Sequence, residues 1–185
     1  MIKELLADAE DRMRKVEKIL VSDYATLRAG RATPALLDKI LVEIYGQAMP
    51  VNQTANISCP EPRLIVIQPW DKNNIAPIEK AIMKSDLGIT PASDGVVIRL
   101  QVPQLTEERR RELVKLCSTK AEEAKVAVRN IRRGVNDDIK ELEKAKEVSE
   151  DESKKGLDDA QKLTDKFVKR FDEIFAEKEK EVMSV

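Results

Sequence analysis

The chain has 185 residues, with 33 Lys or Arg against 34 Asp or Glu, which gives a net charge of −1. Overall charge therefore does not indicate a nucleic-acid partner, and only a local cluster of cations could do so. The sequence contains no histidine, which removes the commonest general base and the commonest metal ligand.

Cys59 and Cys117 lie in different predicted domains, so we expect buried thiols in a reducing compartment, without a disulfide or a zinc site. Glu4 and Asp8 lie where a signal or transit peptide avoids acids. No apolar run approaches the ~20 residues of a membrane span. We expect a cytoplasmic monomer with no membrane partner, cofactor, metal or small-molecule substrate.

All eight prolines fall between Pro34 and Pro103. Proline costs about 3 kcal/mol in a helix interior, so the two flanks can form long helices while the middle cannot. We predict an α+β fold in which residues 1–29 and 105–185 form an elongated three-helix bundle. Residues 30–104 form a small inserted α/β domain, a β/α/β sandwich-like unit. The two linkers would act as a hinge in an L-shaped molecule.

The first flank has an apolar stripe with steps of three and four, the seam of a helix packed lengthwise on others. Its members are Ile2, Leu6, Ala9, Met13, Val16, Leu20, Tyr24 and Leu27.

The insertion shows strand and turn patterns. Alternation predicts a strand within 36–45 that ends at Tyr45-Gly46, and two further strands over 63–69 and 96–102. Asp94-Gly95 predicts a turn before the last strand. Residues 74–85 have helical periodicity, with Pro77 in the first turn, where it is tolerated.

The second flank predicts two helices. Thr106 is a good N-cap for a helix that reaches Lys146, and Ser149 with Glu152 forms a capping box for the next. The last helix carries all three phenylalanines, spaced four apart, which favours aromatic core packing over a cofactor site. They are Phe167, Phe171 and Phe175.

The helix that begins after Thr106 has a predicted apolar seam formed by Leu113, Cys117, Ala121, Ala124, Val128, Ile131, Val135, Ile139 and Leu142. Arg129, Arg132 and Arg133 share one surface beside this seam, and Lys125 extends it by one turn. Like charges at these spacings repel. Either carboxylates of the other helices neutralise them, or the guanidinium groups bind phosphates, for which their planar fork is suited. By contrast, Arg109, Arg110 and Arg111 lie among glutamates, which is typical of a solvated face.

A second cluster, Arg28 and Arg31, flanks Gly30 at the entry to the insertion. It can be a helix C-cap favoured by the helix dipole, or a hinge that also contacts anions. The predicted hinge residues are Ala29, Gly30, Arg31, Ala32, Pro103, Gln104 and Leu105.

At these residues the chain resembles ribosome recycling factors over its full length. The matching motifs are Leu27-Arg28-x-Gly30-Arg31-Ala32-x-Pro34-Ala35, Tyr45-Gly46, Ser85-Asp86-Leu87-Gly88, Leu105-Thr106-Glu107-Glu108-Arg109-Arg110, Arg129-Asn130-Ile131-Arg132-Arg133 and Lys178-Glu179-Lys180-Glu181. Two residues depart from the family pattern. Gln104 replaces a frequent second proline, and Gly134 replaces a better helix former.

The resemblance implies a factor that enters the ribosome after termination, with its bundle against large-subunit ribosomal RNA and an outline similar to transfer RNA. With elongation factor G, which hydrolyses the GTP, such a factor splits the complex into subunits. Carried over to this chain, the RNA contacts are Arg129, Arg132, Arg133, Lys125, Arg28 and Arg31. The alternatives are a helical adaptor or chaperone with an α/β recognition module, and an enzyme of the inserted domain.

Overall fold

The computed structural model describes residues 1–27 and 30–184, and within them four α-helices and six strands follow one another along the chain. Among these residues, no helix is both long and apolar enough to cross a membrane. The elements are α1 (Ile2–Thr26), β1 (Leu41–Ile44), β2 (Gln47–Pro50), β3 (Ala55–Glu61), β4 (Leu64–Pro69), α2 (Ile75–Lys84), β5 (Ala92–Ser93), β6 (Ile98–Gln101), α3 (Glu107–Lys144) and α4 (Glu150–Met183).

The chain divides into two compact units, and each is described here by itself. Unit 1 comprises Met1–Tyr24 and Val114–Lys180, and unit 2 comprises Ala25–Leu113 and Glu181–Val185. The prediction of a helical bundle combined with a small α/β domain, an α+β fold, is confirmed.

Unit 1 is a bundle in which α3 runs antiparallel to both α1 and α4. The Tyr24 hydroxyl at the end of α1 donates to the carbonyl oxygen of Cys117 near the start of α3. At the other end of the bundle, Gly156 of α4 lies against Ile2 of α1 and Ile139 of α3. These contacts fix the register of all three helices, because each joins residues far apart in sequence.

The seam of α3 is apolar at every third or fourth residue. The helix has 38 residues, about 57 Å in length, and its buried positions recur along one side. They are Leu113, Cys117, Ala121, Ala124, Val128, Ile131, Val135 and Ile139. This agrees with the seam expected from the sequence except at Leu142, which is only half-buried.

The helix ends form as their sequences predict. The amide of Arg109 donates to Oγ1 of Thr106 over 3.1 Å, which caps α3. Ser149 and Glu152 form a reciprocal capping box, with bonds of 2.9 and 3.1 Å. α3 ends at Lys144, two residues before the predicted end, because Lys146 adopts a positive φ of 59°.

The aromatic packing in α4 differs from the prediction. Phe167 and Phe171 are buried with ring centroids 6.3 Å apart, but Phe175 is only half-buried. Four residues advance a helix slightly more than one turn, so residues spaced four apart drift gradually around the helix. Phe175, the third of the series, is therefore turned away from the core, and Ile174 is buried there instead.

Unit 2 has its own core, shared by α2, the β1–β2 hairpin and a four-stranded antiparallel sheet in the order β3-β4-β6-β5. Val42 and Ile44 of β1 point into this core, as the alternation predicts. Pro60 lies where the pairing of β3 with β4 shifts register, a position at which proline is tolerated. The sequence did not predict β2, β3 or β5.

The turn between β5 and β6 is held by Asp94. Its carboxylate accepts hydrogen bonds of 2.9 Å from the amides of Val97 and Val96 and pairs with Arg99 at 2.9 Å. These bonds favour the ionised form and lower the pKa of Asp94 to about 2. This confirms the Asp94-Gly95 turn.

The two helical glycines of the bundle allow a matched test. A Cβ on Gly134 of α3 would meet no atom within 4 Å, whereas one on Gly156 would lie 2.9 Å from Ile2 and 3.2 Å from Ile139. Gly134→Ala should raise the free energy of unfolding by about 1 kcal/mol through helix propensity. Gly156→Val should lower it by about 1–3 kcal/mol through overpacking.

Urea unfolding followed by circular dichroism measures both changes. A loss of stability in Gly134→Ala, or a tolerated Gly156→Val, would contradict the packing described.

Candidate nucleic-acid interface

The three arginines of α3, Arg129, Arg132 and Arg133, lie beside the buried seam. Val128 and Ile131 are buried against the other helices. Arg129 and Arg132 are half-buried, and Arg133 is exposed. Because the seam fixes the rotation of α3, all three arginines are held on the surface next to it.

Arg132 is anchored to α4 through a neutral side chain. Its Nη1 donates to Oε1 of Gln161 over 2.8 Å, and Nε2 of Gln161 donates to Asp165 over 2.8 Å. The Nε of Arg132 and the Oδ1 of Asn136, one turn later, are buried without a hydrogen-bond partner. The Arg132 guanidinium is therefore held by the neutral Gln161 amide, and the Asp165 carboxylate bonds to the other end of that amide.

The charge of this cluster is not neutralised by the bundle. Within residues 1–27 and 30–184, none of Arg129, Arg132 and Arg133 forms an ion pair, and Arg133 instead donates to the Asn130 amide over 3.2 Å. Carboxylate neutralisation, the other possibility that the sequence left open, is thus not observed. Guanidinium groups that are not paired with a carboxylate retain N–H donors for phosphate oxygens.

The basic run at the start of α3 behaves differently. Arg109 pairs with Glu112 at 2.9 Å, and Arg111 pairs with Glu107 at 2.7 Å. Both pairs are exposed, as the sequence predicts for a solvated face. Arg110 departs from this prediction, because it is half-buried and its Nε has no hydrogen-bond partner.

Lys125 also differs from the arginines that follow it. Its ammonium contacts Asp172 of α4 and lies 3.2 Å from Glu122, and its side chain is only 13% exposed. The hydrogen bond that Lys125 donates to the Asp172 carboxylate is the main cause that raises the pKa of Lys125. Lys125 therefore contributes an internal ion pair, whereas the arginines keep their charge available.

The second predicted cluster is only partly described. Arg28 and Ala29 lie outside the described residues. Gly30 is buried with a φ of 83°, a conformation that favours glycine. Arg31 is exposed and forms no ion pair with a described residue.

The predicted hinge residues lie next to two backbone hydrogen bonds, and both bonds are accepted by the turn between β3 and β4. The amide of Ala32 donates to the carbonyl of Pro62, and the amide of Val102 donates to the carbonyl of Arg63, both over 2.7 Å. Beyond Val102, the second linker is exposed at Pro103 and Gln104 and buried at Leu105. The turn between β3 and β4 therefore holds both linker segments.

Sequence reasoning missed Gln161 as a neighbour of Arg132, and Arg63 as a residue that lines the same cleft as Arg31. Gln161 carries no charge and lies on another helix, so only the register of α3 against α4 reveals it. Arg63 is a single arginine at a turn, without a spacing that would draw attention.

The described residues contain no candidate metal centre. In the part of the chain that the structure describes, no group of three or more Asp, Glu, Cys or His residues could hold a metal ion. Cys117 is buried, as expected, whereas Cys59 is half-buried. Burial raises the pKa of the Cys59 thiol and disfavours its reactive thiolate.

Comparison with known proteins identifies the family. The ribosome recycling factor family profile matches residues 20–183. The chain belongs to the ribosome recycling factor family. Ribosome-recycling factors of Carboxydothermus hydrogenoformans and Syntrophomonas wolfei are each 62% identical to it over 185 residues, covering 100% of both chains.

Solved structures agree with this assignment. A solution structure of a ribosome recycling factor is similar with a TM-score of 0.82 at 46% identity, covering 100% of this chain and 98% of the other. The T. thermophilus ribosome recycling factor, bound with E. coli elongation factor G to the E. coli post-termination complex, gives a TM-score of 0.68 at 44% identity, covering 98% of each chain.

The family resemblance inferred from the motifs is confirmed. The chain is a translation factor of ribosome recycling and not an enzyme. The comparisons do not favour the adaptor or chaperone alternative.

The pairing of Lys125 leads to a stability prediction. Lys125→Met keeps the aliphatic stem and removes the ion pairs with Asp172 and Glu122, so the free energy of unfolding should fall by about 1 kcal/mol or less, since Asp172 is 59% exposed. Because the lysine pKa is raised, this contribution is present below about pH 10.4 and is lost as the pH rises through the folded value.

Lys162→Met is the matched control, since Lys162 and its partner Asp158 are both well exposed. Thermal unfolding at pH 7 should separate the two variants. Equal stability of both with the parent protein would show that the Lys125 pairs contribute nothing.

Proposed function

We propose that this protein binds the post-termination ribosome and, together with elongation factor G and GTP, separates it into subunits in the cytoplasm. The family assignment supports this role, as does the similar factor bound with elongation factor G to a post-termination complex. The observation in the chain itself that carries the proposal is the cluster of three arginines on α3 that form no ion pair with a described residue. The protein would act as a monomer.

The arginines would contact phosphates of large-subunit ribosomal RNA. Arg129, Arg132 and Arg133 offer planar forks that can each donate two hydrogen bonds to a phosphate. The packed seam of α3 restrains the backbone that carries them, so little conformational freedom remains to be lost on binding. Lys125 would support the surface through its pairs with α4, and Arg28 and Arg31 would add contacts near the insertion.

The two linkers would serve as a hinge. We propose residues 1–29 and 105–185 as the RNA-binding arm and residues 30–104 as the inserted domain. Gly30 supplies a backbone conformation that other residues rarely adopt. Force that elongation factor G applies to the inserted domain would reach the RNA through the linkers and α3.

Splitting of post-termination ribosomes, followed by light scattering with elongation factor G and GTP, tests the function. The protein should convert the ribosomes into subunits, and omission of elongation factor G should abolish this. Ribosomes that remain intact with all components present would refute the proposal.

Arg132→Gln tests the RNA contact. It removes one guanidinium and should weaken ribosome binding about tenfold, with the circular dichroism and unfolding midpoint retained. Arg14→Gln is the control, because Arg14 is 60% exposed and already pairs with Glu10 on α1. Cosedimentation with ribosomes measures both. Equal affinity of Arg132→Gln and the control would remove Arg132 from the interface.

Two glycines inserted between Gln104 and Leu105 test the hinge. The longer linker should leave ribosome binding within about twofold, since the arginines are unchanged. Splitting should slow strongly, because a flexible linker transmits less force. A variant that splits ribosomes at the parent rate would contradict force transmission through this linker.

A further inference from the structure

A cleft in unit 2 is lined by two arginines that do not belong to the cluster on α3. It has a volume of about 330 Å³ and is lined by Gly30, Arg31, Pro62, Arg63 and Gln104. This volume is at the low end of small-ligand sites, about 300–1,000 Å³. The cleft could therefore accept a phosphate and its attached sugar.

The backbone holds the lining residues together. Arg63 accepts a hydrogen bond of 2.7 Å from the amide of Val102, two residues before Gln104, and Pro62 accepts one of 2.7 Å from Ala32, next to Arg31. The turn between β3 and β4 is thus bonded to both neighbouring segments. Because these bonds use main-chain atoms, the side chains of Arg31, Arg63 and Gln104 remain available to a ligand.

The cleft has an excess of positive charge. Neither Arg31 nor Arg63 forms an ion pair within the described ranges, although Arg99 of the same unit pairs with Asp94 at 2.9 Å. Glu61, the carboxylate nearest to Arg63 in sequence, is exposed and forms no ion pair with a described residue. Two unpaired guanidinium groups at one cleft favour an anion between them.

The chemistry of the lining favours a nucleic-acid backbone over a nucleotide base. No aromatic side chain lines the cleft to stack on a base. Arg31, Arg63 and Gln104 are exposed, so a long strand can reach them without entering an enclosed cavity. Guanidinium forks match phosphate oxygens, and the Gln104 amide can bond to a ribose hydroxyl.

We propose that this cleft binds a phosphodiester of ribosomal RNA, with Arg63 and Gln104 as contacts beside Arg31, and so forms a second RNA site apart from the α3 arginines. The inference rests on the proposed function, because it assumes that the ribosome is the partner. It extends the interface to a turn of the inserted domain.

Arg63→Gln in the full-length protein tests the site. Ribosome affinity is measured at several potassium chloride concentrations. We expect about tenfold weaker binding and a log–log salt slope reduced by about 0.7–0.9, the value for one lost phosphate contact. Arg63→Lys, which keeps the charge and loses the fork, should fall between Arg63→Gln and the parent. Folding should be unaffected, because the Arg63 side chain is exposed and its structural bond uses the carbonyl.

Arg111→Gln is the matched control in the same unit, since Arg111 is 74% exposed and already pairs with Glu107. It should bind ribosomes as the parent does. An Arg63→Gln variant with the affinity and salt slope of this control would overturn the proposal.

Two further comparisons distinguish a failure of the cleft proposal from a failure of the proposed function. If Arg132→Gln weakens binding and Arg63→Gln does not, the cleft is refuted and the proposed function stands; if neither variant differs from the control, both RNA contacts fail. Titration of the parent protein with inorganic pyrophosphate tests whether the cleft binds a free anion instead of RNA. Pyrophosphate binding that Arg63→Gln abolishes, with ribosome affinity unchanged, would overturn the assignment to RNA.

Discussion

The packing of α3 against α1 and α4 determines most of what unit 1 can do. Its apolar positions are buried on one side, from Cys117 beside Tyr24 to Ile139 beside Gly156. A helix packed in this way cannot rotate without exposing its seam to water, which costs about 25 cal/mol per Å². The direction of every other side chain on α3, including the arginines, follows from that constraint.

Charge is arranged on this scaffold in two ways. Several cations, among them Arg14, Arg111 and Lys162, pair with a carboxylate, and such exposed pairs contribute little to stability. Arg132 and Arg133 are different, because Gln161 and Asn130 supply them with neutral acceptors in place of carboxylates. A neutral acceptor orients a guanidinium without lowering its affinity for phosphate. In this respect the proposed RNA-binding surface differs from the solvated face at Arg109 and Arg111.

Short-range sequence patterns were enough to predict the helices, their caps and several turns. Thr106, Ser149 and Glu152 act within one turn of chain, so short-range chemistry determines them. Strands β2 and β3 could not be predicted, because their pairing is set by partners elsewhere in the chain and Pro50 and Pro60 obscure their pattern. The partners of Lys125 and Arg132 on α4 likewise depend on helix register, which no local pattern contains.

The turn at Pro62 and Arg63 has a consequence for how the chain folds. Because it bonds to both Ala32 and Val102, the ends of the inserted segment are held close together once unit 2 has formed. The closure entropy of a loop depends on its effective length, so α1 and α3 then find each other as if a short connection joined them. Unit 2 could thus fold first and lower the entropic barrier to assembly of the bundle, and loss of its structure would slow that assembly even where every bundle contact is intact.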